Sequence, residues 1–222
     1  MSLRGVGASE KHEVIRREVK FSGTVVTVSV EHLRLPNGVE VHHEILDMPR
    51  SVAVVPLLEG AGGIDVILVE QFRSALRGYI HEIPAGIVDP GEDPAVCAVR
   101  ELKEETGFVA RSLTHLAHLL PIPGTSAHCM DFYLAEDLEV GTQELEDAEC
   151  LSVRRVPFAD LVATVLTGSE ARNDAGEPAW VVDSKTHLGL LHVAMLRGEL
   201  LRGGLPSGGV RRDASRASGG PS

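Results

Sequence analysis

The chain is short of the residues that would place it in several common classes. Only three of its 222 residues are cysteine: Cys97, Cys129 and Cys150. Their wide spacing offers no CxxC pair, no His/Cys cluster of the zinc type and no disulfide framework. They read as small apolar filler, and a reducing cytoplasm is the expected location. Aromatic residues number eight, so few rings are on hand to stack against a base. No apolar run reaches membrane-spanning length, and the N-terminal stretch lacks the hydrophobic segment of a signal peptide. A basic excess is missing too. The net charge of −11 argues against a protein that grips phosphate backbones through bulk charge, so neither a nucleic acid nor a membrane is an expected partner. An acidic protein can still take a phosphorylated small molecule if a metal ion supplies the positive charge.

What is present is patterning for a folded unit. Hydrophobic residues make up 43% of the chain, and the length allows one sizeable core plus a small appendage. Residues 1–12 are polar and expected to be loose. Over 13–48 the period is two. Val26, Val28 and Val30 alternate with Thr27, Ser29 and Glu31, Pro36-Asn37-Gly38 makes a turn, and Val39, Val41, His43 and Ile45 resume the alternation. That pattern predicts a small antiparallel sheet of about three strands. A second unit is expected over 49–202. Apolar runs at 51–57 and 64–69 predict two strands around a Gly-rich turn, with further strands over 113–120, 130–134 and 151–156. Helices are predicted over the box stretch described next, over 158–166 and over 186–201. Helices interleaved with a mixed sheet imply an α/β (α+β) fold, an α/β/α sandwich. The segment 203–222 is rich in Gly, Ser and Arg and is expected to be disordered.

The most informative stretch is 86–108, GIVDPGEDPAVCAVRELKEETGF. Asp93-Pro94 suits an N-cap followed by proline at the first helical position, and Gly107 suits a helix stop. Val96, Val99 and Leu102 recur at helical spacing and are predicted to face the core. At about 100° per residue, Glu101, Glu104 and Glu105 fall within a sector of roughly 100°. Three carboxylates so placed repel one another unless something positive sits among them. Hard oxygen donors around a small divalent cation suit Mg²⁺ or Mn²⁺. An EKEE-like string alone reads as a solvated acidic face. Gly86, Glu92 and Arg100 at their fixed distances turn the reading towards a metal site.

The stretch resembles a complete Nudix box, the Mg²⁺-binding loop–helix–loop of enzymes that cleave a nucleoside diphosphate linked to another moiety. The resemblance covers about residues 20–198. Gln71-Phe72-Arg73, Glu82-Ile83-Pro84-Ala85-Gly86, Pro123-Gly124 and Asp183-Ser184-Lys185-Thr186 are similar to the ADP-ribose pyrophosphatase branch. Pro123 stands where that branch carries a diagnostic proline. The resemblance implies Mg²⁺-dependent hydrolysis of ADP-ribose, or a related nucleoside diphosphate sugar, to AMP and ribose 5-phosphate. It implies metal ligation by Glu101, Glu104, Glu105 and the carbonyl of Ala85, with Gly86, Glu92 and Arg100 holding that set in place. Arg73 corresponds to a phosphate-binding arginine, and Glu82 to a position near substrate or metal. It also implies a homodimer in which the N-terminal sheet reaches the partner's substrate site. One departure matters. Where many members place a glutamate proposed as general base, this chain has His128. His128 itself, an acidic residue from Glu144, Glu146, Asp147 and Glu149, or a box carboxylate such as Glu105 could each take the proton. Phe21, His42 and His43 are candidates for stacking on the base. Alternatives are a broad NDP-sugar (GDP-mannose-type) pyrophosphatase, a hydrolase of oxidised nucleoside triphosphates and a non-catalytic sensor. The sensor fits poorly with an intact glutamate set.

Overall fold

Alternation and turn chemistry build the first sheet. In the computed structural model, which describes residues 12–145, 149–167 and 182–198, strands β1 (Glu13–Ser22), β2 (Thr27–Arg34) and β3 (Glu40–Asp47) pair antiparallel in that order. The β2–β3 turn closes through Gly38 N–H to Leu35 O at 2.9 Å, with Gly38 at φ 82°. Glycine suits that left-handed position because it has no Cβ. Val14, Val19 and Phe21 on β1 stay exposed. The sheet is stitched to the remainder at the end of β3. Leu46 N–H donates to Thr125 O at 2.8 Å and Ser126 Oγ donates to Leu46 O at 2.6 Å.

The second unit comprises β4 (Ser51–Gly60), β5 (Gly63–Arg73), β6 (Gly78–Glu82), β7 (Ala85–Ile87), α1 (Pro94–Thr106), β8 (Phe108–Leu119), β9 (Met130–Val140), β10 (Leu151–Pro157), α2 (Phe158–Thr167) and α3 (Ser184–Leu196). Its mixed sheet runs β10-β5-β4-β9-β8, with β6 on β5 and β7 on β4. Only β4–β9 is parallel among these pairs.

Strand β4 shows why the sheet is covered on both faces. Side chains alternate across a strand. Val52 and Val54 join Cys97, Ala98 and Leu102 of α1 in one core. Ala53, Val55 and Leu57 join Leu161 of α2 and Leu190 and Val193 of α3 in the other. A near-continuous apolar run is what a doubly covered strand needs. The α/β/α sandwich follows. Among the described residues no helix is long and apolar enough to cross a membrane.

Several details differ from the sequence expectation. Helix α1 turns a slightly rotated face inward: of the three residues expected there, Leu102 is buried and Val99 half-buried. Val96 is 60% exposed, and Cys97, Ala98 and Leu102 form the buried stripe. The i,i+4 pair Ala98/Leu102 sets the phase, so that Glu101 and Glu105 come round to the protein side. Helix α3 starts at Ser184, two residues before the predicted start, because Asp183 accepts Thr186 N–H at 3.0 Å as its N-cap. Strand β8 begins at Phe108, immediately after the helix stop. A bulge between His115 and Ala117 then lets His115 and His118, three residues apart, both reach Asp131 Oδ1 at 3.2 and 2.9 Å. In a regular strand that spacing would put them on opposite faces. Residues 199–201 of the third predicted helix, 1–11 and the segment 203–222 lie outside the described residues.

Candidate active site

The box folds as its residues dictate. Asp93 Oδ1 accepts Ala95 N–H at 2.8 Å and Pro94 opens the helix. Gly107 closes it in the left-handed region at φ 74°, its N–H on Lys103 O at 2.8 Å. A side chain there would be strained and would meet Gln143 N at 2.9 Å.

Arg100 is the positive group among the carboxylates. Its Nη1 donates to Glu101 at 2.8 Å and to Glu104 at 2.9 Å, while Nε and Nη2 grip Glu92 at 3.0 and 3.1 Å. Glu92 also accepts Asp89 N–H at 3.1 Å, which ties the loop to the helix. These bonds, Arg100 first, hold the Glu92 carboxyl down at about 2, and Glu92 in turn raises the Arg100 guanidinium. Gly86 is where the backbone passes closest. A Cβ on it would lie 1.9 Å from Glu101 Cδ and 2.0 Å from its Oε1, so only glycine leaves room for that carboxylate.

Glu101, Glu104 and Glu105 line one cavity of about 330 Å³ together with Ala85, Arg73 and Glu149. Glu105 is 5% exposed. Its Oε2 accepts Ala85 N–H at 3.1 Å. Burial, with Glu101 and Glu149 nearby, pushes its carboxyl up to about 8, and burial also raises Glu101. A divalent cation answers the excess of carboxylate oxygens, and three glutamates plus a backbone carbonyl are a hard donor set of the kind Mg²⁺ or Mn²⁺ takes. Among the described residues no three His, Cys, Asp or Glu side chains are already grouped around one point as a ligand set. Glu101 and Glu104 turn to Arg100, and Glu105 turns to Ala85 N–H. The donors fit a cation in type and share one cavity.

Arg73 stands across this cavity at the end of β5. Its Nε donates to Glu82 Oε1 at 2.8 Å, and Nη2 also pairs with Glu82. Glu82 is 3% exposed. Burial alone would raise its carboxyl, but Arg73 and Lys185 outweigh burial and hold it below the ordinary value. Glu82 is therefore an interior anion that holds two cations. The sequence pointed to the segment carrying Lys185 and assigned that lysine no role.

A second cavity, of about 300 Å³, shares Arg73, Ala85 and Gly86 with the first and adds His128, Met130 and Lys185. His128 Nδ1 lies 2.7 Å from Pro49 O, and Nε2 lies 3.2 Å from Ser51 Oγ. A carbonyl only accepts, so Nδ1 carries a proton; in the neutral ring Nε2 then accepts from the serine hydroxyl. Both nitrogens are engaged. Of the three proton acceptors the sequence left open, His128 would have to give up its contact with Ser51 or Pro49 to take a proton from water. Pro123 is exposed in a turn where Thr125 and Ser126 N–H both donate to Ile122 O at 3.0 Å, and it lines neither cavity. Of the later acidic stretch, Glu149 reaches the cavity and Glu144 pairs with Lys103 at 2.8 Å. Glu146 and Asp147 lie outside the described residues. Phe21, His42 and His43 are exposed on the N-terminal sheet.

A mixed sheet between helices, with a glutamate-bearing helix and a glycine-backed carboxylate over a shared cavity, defines a phosphoanhydride-processing α/β class. Residues 47–176 match the NUDIX domain family, and the chain belongs to that family. It is 37% identical over 159 residues to an ADP-ribose pyrophosphatase of Bacillus subtilis, covering 71% of this chain and 84% of the relative. It is 34% identical over 188 residues to a methanol dehydrogenase activator of Bacillus methanolicus, covering 85% and 95%. A crystal structure of an ADP compounds hydrolase superposes with a TM-score of 0.70 at 27% identity, covering 87% of this chain and 98% of that one.

Proposed function

We propose that the protein hydrolyses the diphosphate linkage of ADP-ribose, or of a closely related nucleoside diphosphate compound, releasing AMP and, from ADP-ribose, ribose 5-phosphate. The observation that carries this reading is the convergence of Glu101, Glu104, Glu105 and Ala85 on one cavity faced by Arg73. Similarity to an ADP-ribose pyrophosphatase and to an ADP compounds hydrolase supports the substrate class. Similarity to an activator protein does not favour a non-catalytic sensor, because all three glutamates are present.

Glu101, Glu104, Glu105 and the Ala85 carbonyl would hold Mg²⁺, or Mn²⁺ in its place. When bound, the cation offsets the diphosphate's negative charge and makes water more acidic. Arg100 and Glu92 set the rotamers of the glutamates, and Gly86 leaves space for Glu101. Arg73 donates to a phosphate oxygen. Proton acceptance from the attacking water falls to a cavity carboxylate, Glu105 or Glu149. His128 instead braces the segment entering β4 against the start of β9. We assign residues 13–48 to subunit pairing and 49–202 to the hydrolase. A three-stranded sheet with Val14, Val19 and Phe21 in water is marginal alone, and a second copy would cover it in a homodimer. Free cysteines suit a reducing cytoplasm.

The test is a panel of ADP-ribose, ADP-glucose, GDP-mannose, UDP-glucose and NADH with Mg²⁺, run beside Glu105→Gln. Release of AMP from ADP-ribose, lost in the variant and in EDTA, is expected. Turnover of every compound at rates indifferent to the substitution would overturn the reading.

A further inference from the structure

We propose that Lys185 is a second phosphate-binding cation of this site, held ready beside Arg73 by their shared carboxylate, Glu82. The proposal rests on the diphosphate-hydrolase reading above and deepens it.

Lys185 lies in the first turn of α3, and its side chain is only 11% exposed. A buried ammonium is costly unless paired. Here Nζ donates to Glu82 Oε2 at 2.7 Å and to Asp183 Oδ2 at 2.6 Å. An ammonium has three donors, so two are used and one remains. Arg73 has five donors, of which Nε and one on Nη2 are committed to Glu82. Both cations line the cavity of about 300 Å³ that adjoins the glutamate cavity, whereas Glu82 lines neither. The anion thus sits behind the cations, which hold their remaining donors at the surface a ligand would meet.

Asp183 also borders this cavity, but its oxygens are spent on Thr186 N–H and on Lys185. The two carboxylates pair with the cations: Glu82 with both, and Asp183 with Lys185, which is nearly buried, whereas the Arg73 side chain is 41% exposed. They leave the attraction for an incoming anion to directed donors rather than to net charge. The geometry is fixed from outside the box. Ile83 N–H donates to Thr186 Oγ1 at 2.9 Å, and His81 bridges to Val182. These contacts clamp the start of α3 to the backbone on both sides of Glu82. A diphosphate has two phosphates to hold. The glutamate cavity and the Arg73–Lys185 shelf share Arg73, Ala85, Gly86 and Ile87 as a common wall, so one phosphate can face each.

The test measures binding and kinetics on the full chain with Mg²⁺. The non-hydrolysable probe is α,β-methylene ADP-ribose, and the substrate is ADP-ribose. Lys185→Met should weaken the probe about ten- to a hundredfold, the span of a hydrogen bond to a charged group. It should raise KM by a similar factor while moving kcat much less. Lys185→Gln keeps a donor for Glu82 and should show the same loss, which preserves the test if the Met variant does not fold. Glu82→Gln, which keeps one acceptor oxygen but removes the charge and the second acceptor that the two cations share, should also raise KM. Unchanged probe affinity and KM in a folded Lys185 variant, whatever happens to its melting temperature, would make Lys185 a brace for α3 and overturn the proposal. Wild-type protein that neither binds the probe nor cleaves ADP-ribose would instead sink the underlying hydrolase reading.

Discussion

Replacing Glu105 with glutamine separates the cost of the site from its use. The carboxyl is 5% exposed and is pushed up to about 8 by burial and by neighbouring carboxylates. Unfolded, it titrates near the ordinary 4.5. Between those values the folded protein holds a proton that the unfolded chain has released, so stability falls as pH rises across that window. The slope is about 1.4 kcal/mol per pH unit, with a ceiling near 5 kcal/mol at pH 8 and above. Glutamine mimics the protonated form and can still accept Ala85 N–H, so the variant escapes this penalty. In EDTA its stability advantage should be small at pH 5 and widen steadily to pH 8. At the ceiling that corresponds to roughly 10–20 °C in melting temperature for a chain of this size. Titrating groups that do not interact with Glu105 are common to both proteins and cancel in the difference. With Mg²⁺ the wild type should recover stability at pH 8, because binding to the folded state alone is stabilising. The variant should gain less and should lose at least about a hundredfold in kcat. Urea unfolding at four pH values between 5 and 8 supplies the data. A wild-type-to-variant gap that does not change with pH would refute the argument.

Gly86→Ala would drive a methyl into the Glu101 carboxylate; kcat/KM should fall about ten- to a hundredfold, and a normal rate would show that Glu101 need not occupy its present place. His128→Ala should cost less than about tenfold in kcat, with an unaltered pH–rate profile, yet about 1–3 kcal/mol in stability through the orphaned Ser51 and Pro49 partners. Loss of the acidic limb from that profile, together with a rate loss above about a hundredfold, would restore His128 as the general base. Val19→Asp combined with Phe21→Asp, at positions 63% and 59% exposed, should convert a dimer to a monomer in light scattering. A wild type that is itself monomeric would remove the pairing role of the N-terminal sheet.

The parts legible in the sequence are those set by neighbours along the chain. Asp93-Pro94 and Gly107 bounded α1 correctly because caps act within one turn. The apolar run of β4 announced a strand, and the structure covers it on both faces. The clustering of Glu101, Glu104 and Glu105 followed from helical geometry alone, as did the need for a positive group among them. Contacts decided by folding were out of reach. Val96 fits the apolar period as well as Ala98 does, and only packing under β4 chose between them. Strands β6 and β7, parted by Ile83-Pro84 and with Gly86 in the middle of β7, exist because β5 and β4 offer backbone to pair with. Lys185 looked like any lysine at a helix start until the fold brought Glu82 to it across 103 positions. His128 sat where a base was expected, and nothing local showed that Pro49 and Ser51 would claim both its nitrogens.

The bond from Ile83 to the threonine hydroxyl of α3 also bears on how small a working piece of this molecule can be. The stretch matching the family ends at residue 176, short of Asp183, Lys185 and Thr186. A truncation there would retain every glutamate of the box, yet strip Glu82 of one of its two cationic partners and leave the Ile83 amide without its acceptor. Such a truncation would also take Leu190 and Val193 out of the core beneath β4, so the working unit reaches past the matched stretch for its packing as well as for the Glu82 pairing.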